Sequence, residues 1–145
     1  MVQVGVLLDR APEELGEWLT DAAAFDAAGA DALWIDSVAD LDMCAVTAAL
    51  AVVTFRARLV VTLDAPARTI DTIRRLSRDR LTLELVGDWE HVPVPQGRAA
   101  WRAACAEAAE RGVTGLVVPA DPRLVDLLRN PDDPEERHDL HLAQG

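Results

Sequence analysis

The chain has 145 residues, a formal net charge of −11 and an apolar content of 50%. This length and apolar content suffice for one domain whose hydrophobic core needs no metal ion or disulfide. The 25 acidic side chains outnumber the 14 basic ones, which are all arginine, so the surface should repel nucleic acid and anionic membranes, and we expect neither as a partner.

In chain order, apolar strands alternate with amphipathic helices. The predicted elements are a strand at 2–8, a helix from 12 to 28, a strand at 32–35, a helix at about 41–52, a strand at 58–63, a helix at 69–76, a strand at 81–86, a loop at 87–97, a helix at 98–111, a strand at 114–118 and a short helix at 122–128. We expect a single βα domain over residues 1–129 and a polar, acidic tail over 130–145.

Local signals predict where the helices begin and end. Pro12 suits the first turn of a helix, and Gly29 stops that helix. Asp40 or Asp42 is the expected N-cap of the second helix, and Thr69 that of the third. Because strand and helix alternate about five times, the connections should be right-handed crossovers that build a parallel sheet.

The two cysteines and the histidines predict neither a disulfide nor a metal site. Cys44 and Cys105 lie in alanine-rich helical patterns, which are typical of small buried thiols in a reducing compartment. The pair His138-x-x-His141 lies in the polar tail and is not expected to bind a metal ion. No apolar run approaches the roughly 18 residues of a membrane span, and the N-terminus lacks the features of a signal peptide. We therefore expect a cytoplasmic protein.

Several motifs follow one another in a recognisable order. A helix ends at a glycine, and an "LW" strand closed by an acid, an alanine-rich helix, a "T-x-R-x-R-L" strand and a segment similar to "LDRLSxGR" come next. They are Gly29, Leu33-Trp34-Ile35-Asp36, residues 45–53, Thr54-Phe55-Arg56-Ala57-Arg58-Leu59 and residues 73–87. In this order, over roughly residues 2–90, the chain resembles the N-terminal part of the bacterial luciferase-like monooxygenase family.

The resemblance implies a fold and an activity. The family folds as a (β/α)8 barrel that binds flavin or the deazaflavin F420 at the carboxyl ends of its strands. It therefore implies an α/β fold of parallel βα units, as a partial or shortened TIM-type barrel, and a luciferase-like oxidoreductase that uses FMN or F420 on a small-molecule substrate. The implied catalytic residues are Asp36, Asp9 and Asp64, and the implied cofactor-binding residues are Trp34, Ser37, Thr62, Gly87 and Trp89.

The sequence also departs from the family pattern. Ser37 and Val38 stand where the family often has a histidine, and Gly87 stands alone where the family has a pair of glycines. Residues that would match most of the family's C-terminal half are missing from this sequence. The alternative function is therefore a non-catalytic relative that acts as a binding or assembly module.

Each candidate residue also has a structural interpretation. The aspartates at strand ends can cap helices, Trp34 and Trp89 can pack in a core or interface, and the arginines around Arg78 can be a helix end instead of a phosphate site. Five strands are too few for an eight-stranded barrel. We expect a homodimer to cover the exposed sheet, and a flavodoxin-like sheet with helices on both faces is a further alternative.

Overall fold

The computed structural model describes residues 1–8, 14–37 and 40–130. Asp9, His138, His141 and the expected tail beyond residue 130 lie outside this part of the chain. The described elements, in order, are β1 (Gln3–Leu8), α1 (Leu15–Ala28), β2 (Ala32–Ile35), α2 (Met43–Val53), β3 (Arg58–Val61), α3 (Ala67–Leu76), β4 (Leu81–Thr82), β5 (Trp89–His91), α4 (Arg98–Glu110), β6 (Gly115–Pro119) and α5 (Arg123–Arg129).

The six described strands form one parallel sheet in the order β4-β3-β2-β1-β6-β5. This confirms the predicted α/β class with parallel βα units. Strands β1 to β4 lie side by side in chain order, and β5 and β6 continue the sheet on the other side of β1. This is the order that six consecutive strands of a barrel would have if the barrel were opened between β4 and β5. The sheet is open between β4 and β5, its two edge strands.

The five described helices pack on one face of this sheet. Alternate strand residues, among them Val6, Leu33, Leu59 and Leu116, join helix side chains in a single core. Each right-handed crossover steps to the next strand in the same direction, which places every helix on the same side. A flavodoxin-like sheet needs helices on both faces, so this alternative does not describe the chain.

The short connection between the edge strands requires the sheet to curl. Residues 83–88 join the end of β4 to the start of β5. In a flat sheet these edges would be five spacings apart, or about 24 Å, which is about the full reach of so short a segment. The segment also contains bends, and Gly87 has a φ of +108°. A curled sheet brings the two edges closer together, with the helices on the convex face.

Two element boundaries follow the local signals, and three do not. Gly29, with a φ of +109°, ends α1, and the Asp42 side chain caps α2 by accepting hydrogen bonds from the N–H groups of Cys44 and Ala45. The third helix begins at Ala67, directly after Pro66, so the expected Thr69 cap is wrong.

The other two differences from the predicted elements are in β4 and β5. The strand expected at 81–86 is only Leu81–Thr82, and the loop expected at 87–97 contains β5. Sequence pattern missed β5 because this short, polar strand forms through pairing with β6, in which Trp89 lies opposite Gly115.

Candidate functional site

Four of the predicted site residues lie at the carboxyl ends of two neighbouring strands. Asp36 and Ser37 follow β2, and Thr62 and Asp64 follow β3. Ile35 pairs with Val61 at the last step of the β2–β3 ladder, so Asp36 and Thr62 leave the sheet side by side. All four residues are exposed to solvent. We call this group, Asp36, Ser37, Thr62 and Asp64, the carboxyl rim.

Other charged groups at this end of the sheet are largely paired. The Arg123 side chain and backbone N–H both donate to Asp121, which follows β6, and hold the pKa of that carboxyl below its usual range. Arg98, the first residue of α4, forms an ion pair with Asp126. Arg68, in the first turn of α3, is exposed. The described rim is therefore mainly acidic.

The two predicted tryptophans meet on the concave face of the sheet. The ring centroids of Trp34 in β2 and Trp89 in β5 lie 4.8 Å apart, with the planes tilted by 59°. Both rings lie over glycines: a Cβ added to Gly115 would lie 2.2 Å from Trp89 Cζ3, and one added to Gly5 would lie 2.5 Å from Trp34 Cζ3. The tryptophans therefore pack against each other and the strands, and they do not form parallel walls for a planar ligand.

One polar atom in this cluster has no partner. The indole Nε1 of Trp89 is buried and has no acceptor among the described residues. The opposite edge of the indole, with Cε3 and Cζ3, lies against Gly115. Leaving a buried N–H without an acceptor costs about 1–3 kcal/mol. This N–H is available to an oxygen acceptor that reaches the concave face.

Gly87 lies far from the carboxyl rim along the strand direction. A Cβ at Gly87 would lie 2.4 Å from Oγ1 of Thr114, the residue before β6, and the Asp88 N–H donates to the same oxygen. Gly87 therefore lies at the amino ends of the strands. Its expected position beside Asp36 is wrong, because the chain returns across the sheet between β4 and β5.

Helix α1 carries a buried carboxylate that was not predicted from the sequence. Asp26 of α1 is 2% exposed. Its side chain accepts hydrogen bonds from the N–H groups of Phe55, Arg56 and Ala57 at 2.7, 3.0 and 2.6 Å. These residues belong to the "T-x-R-x-R-L" motif, so that motif has a structural role here. The signal was an acid next to Phe25 on the apolar side of α1.

Arg80 supports the same loop from the other side. Its guanidinium donates to the carbonyl oxygens of Ala51, Thr54, Ala57 and Ser77 and to the Thr54 hydroxyl. Burial lowers the pKa of this guanidinium, while the nearby Asp26 charge opposes that shift. Arg80 therefore joins α2, β3 and α3 and is not a solvated helix end.

The described residues contain no group of three or more His, Cys, Asp or Glu side chains that could hold a metal ion. Within the same part of the chain, every helix is too short or too polar to cross a membrane. Comparison of the sequence with protein-family models and with curated proteins, and comparison with solved structures, found no match.

Proposed function

We propose that this chain is a luciferase-like βα domain, built as a shortened TIM-type barrel, that acts as a non-catalytic binding or assembly module. The tilted Trp34–Trp89 contact is the observation that carries the proposal. The pair fills the concave interior over Gly5 and Gly115, so no planar ligand fits between the two indoles. The strand order and the helices on one face support the barrel lineage.

The described residues give little support for FMN or F420. Both cofactors carry phosphate, which needs cationic side chains or free N–H groups. Asp36 and Asp64 give the carboxyl rim two negative charges, and Arg123 is already paired with Asp121. The two indoles, tilted by 59°, also leave no parallel slot between them for a planar ring.

A flavin- or F420-dependent oxidoreductase is the second candidate. The adjacent positions of Asp36 and Thr62 favour it, together with the unpartnered Nε1 of Trp89. Arg68 is the exposed cation at this end that a cofactor phosphate would use. Here the cofactor would supply the redox chemistry, and the rim would bind and orient it with a small-molecule substrate.

Titration with FMN and with F420 separates the two candidates. We expect neither cofactor to bind with a dissociation constant below about 1 mM, which is the weakest affinity relevant to a resident cofactor. The measurements are calorimetry and the visible absorbance of the protein after dialysis. The oxidoreductase becomes the better candidate if FMN or F420 binds saturably and if Arg68→Ala or Asp36→Asn weakens that binding at least about tenfold. Arg129→Ala, at the end of α5, is the matched control.

A cytoplasmic homodimer is also part of the proposal. Cys44 and Cys105 are free, in keeping with a reducing compartment. The dimer is not needed to cover the concave face, because Ala32 and Val117 there are 0% exposed within one chain. Val86, next to the open edge, is 88% exposed and is the residue we expect in a dimer contact. Light scattering should give a mass near twice 15.7 kDa for the wild type and a lower mass for Val86→Asp.

A further inference from the structure

An apolar patch lies at the amino end of the sheet, opposite the carboxyl rim. Phe55, Val52 and Leu76 are 66%, 58% and 42% exposed. Together with Arg78 and Arg80 they line one shallow pocket of about 190 Å³. This volume suits one large apolar side chain. We call these five residues the Phe55 patch.

Cations surround this patch in a strongly acidic chain. Arg56 and Arg75 are exposed beside Phe55 and Leu76, and Arg78 is exposed at the pocket itself. Asp79 is next to Arg78 in the chain, Asp71 pairs with Arg74 on α3, and Asp26 is buried behind the loop. The region is therefore locally positive, although the chain has a net charge of −11.

The loop that presents Phe55 is held in place. Asp26 binds the N–H groups of residues 55–57, and Arg80 binds the carbonyl oxygens of Thr54 and Ala57. A side chain on a fixed loop loses little conformational entropy on binding. Aromatic and arginine side chains are also the residues that contribute most often to binding hot spots.

We propose that the Phe55 patch is the docking site for an acidic segment of a partner protein that inserts one large apolar side chain into the pocket. The proposal rests on the function as a binding module and gives that module a surface and a partner chemistry. Charge complementarity selects an acidic protein segment, because arginines rim the pocket. The apolar side chains that line the pocket favour a protein side chain over nucleic acid or a lipid headgroup.

A short synthetic peptide of Asp and Glu around a central Leu-Phe pair is the probe, with amide NMR shifts of the full chain as the readout. We expect saturable shifts confined to residues 52–56 and 76–80. Phe55→Ser should weaken binding at least about tenfold, as expected for a hot-spot aromatic. Arg78→Glu should weaken it and reduce its salt dependence. Leu15→Ser, which removes another exposed apolar side chain, should leave the affinity unchanged.

Several outcomes overturn the proposal. The first is that the acidic Leu-Phe peptide does not bind saturably. The second is that a peptide with Ser-Ser at its centre, or one with Lys in place of its acids, binds as tightly as the acidic Leu-Phe peptide. The third is that Phe55→Ser binds that peptide with the affinity of the wild type. Self-association that Phe55→Ser abolishes would assign the patch to a second copy instead. The peptide test reports on residues 52–56, so a negative result contradicts only the proposed docking site. Binding of FMN or F420 at the carboxyl rim is measured separately and would contradict the proposed function.

Discussion

Trp34 in β2 contacts Trp89 in β5 although two strands, β1 and β6, lie between them. In a flat sheet, strands three spacings apart are about 14 Å apart. The indoles meet because the sheet curls and because the intervening strands carry Gly5 and Gly115 beneath the rings. The absence of two side chains is therefore as important to the concave face as the presence of two aromatic rings.

Gly115→Ala should destabilise the fold, because the new Cβ would lie 2.2 Å from Trp89 Cζ3. Overpacking of this kind costs about 1–3 kcal/mol. We expect a loss in this range in the free energy of unfolding by urea, with a changed near-ultraviolet circular dichroism from the displaced indoles.

Gly16→Ala is the matched control, because a Cβ at Gly16 in α1 meets nothing within 4 Å. It should leave stability unchanged or raise it by about 0.5–1 kcal/mol, since alanine favours the helix. Combining Gly115→Ala with Trp89→Leu should recover part of the loss. Equal stability of the two single alanine variants would contradict the tight contact.

Asp26→Asn should destabilise the protein by about 2 kcal/mol or more. Asn keeps one carbonyl oxygen for the three N–H groups that the carboxylate accepts, and it removes the charge near Arg80. Hydrogen bonds to charged groups contribute about 1.5–3 kcal/mol each. Asp21→Asn, on the exposed side of the same helix, should change stability by less than about 0.5 kcal/mol. Amide hydrogen exchange at residues 55–57 should increase only in the Asp26 variant.

Asp79→Gly should stabilise the protein. Asp79 has a φ of +63°, a left-handed conformation that strains side chains other than glycine. The resembled family pattern "LSxGR" has its glycine at this position. We expect a gain of about 0.5–1 kcal/mol. Asp71→Gly, inside α3, should instead cost about 0.3 kcal/mol, because glycine has a lower helix propensity than aspartate. Thermal melting should show a higher melting temperature for Asp79→Gly and a lower one for Asp71→Gly. A change of the same sign in both variants would contradict relief of strain at Asp79.

Cys105 should make stability depend on alkaline pH. Burial raises the pKa of this thiol above that of the unfolded chain. The folded state therefore holds its proton more tightly, and the stabilisation is present at lower pH and is lost as the pH rises through the folded pKa. Between about pH 8 and about pH 10, where thiols titrate, the free energy of unfolding should fall less steeply in Cys105→Ala than in the wild type. A slope in Cys105→Ala equal to that of the wild type would contradict this prediction.

Many residues of the candidate site could be identified from local sequence, but not all of their positions relative to one another could be. Asp36 and Thr62 could be placed together from sequence, because consecutive parallel strands end at the same edge. Gly87 could not, because the direction of the segment after β4 depends on which strand the following residues pair with. Arg80 looked like one member of an exposed arginine cluster, and only its contacts with α2 and β3 show a buried structural role.

The sequence by itself determined the alternation of strands and helices, the parallel sheet, the end of α1 at Gly29 and a cap at Asp40 or Asp42, of which the structure has Asp42. These features depend on periodicity and on hydrogen bonds between residues close together in the chain. Only the tertiary structure decided that β5 exists, that Trp34 meets Trp89, and that Asp26 holds a loop about thirty residues away. Those contacts join segments distant in sequence, and they form only when curling of the sheet and packing of the helices bring the segments together.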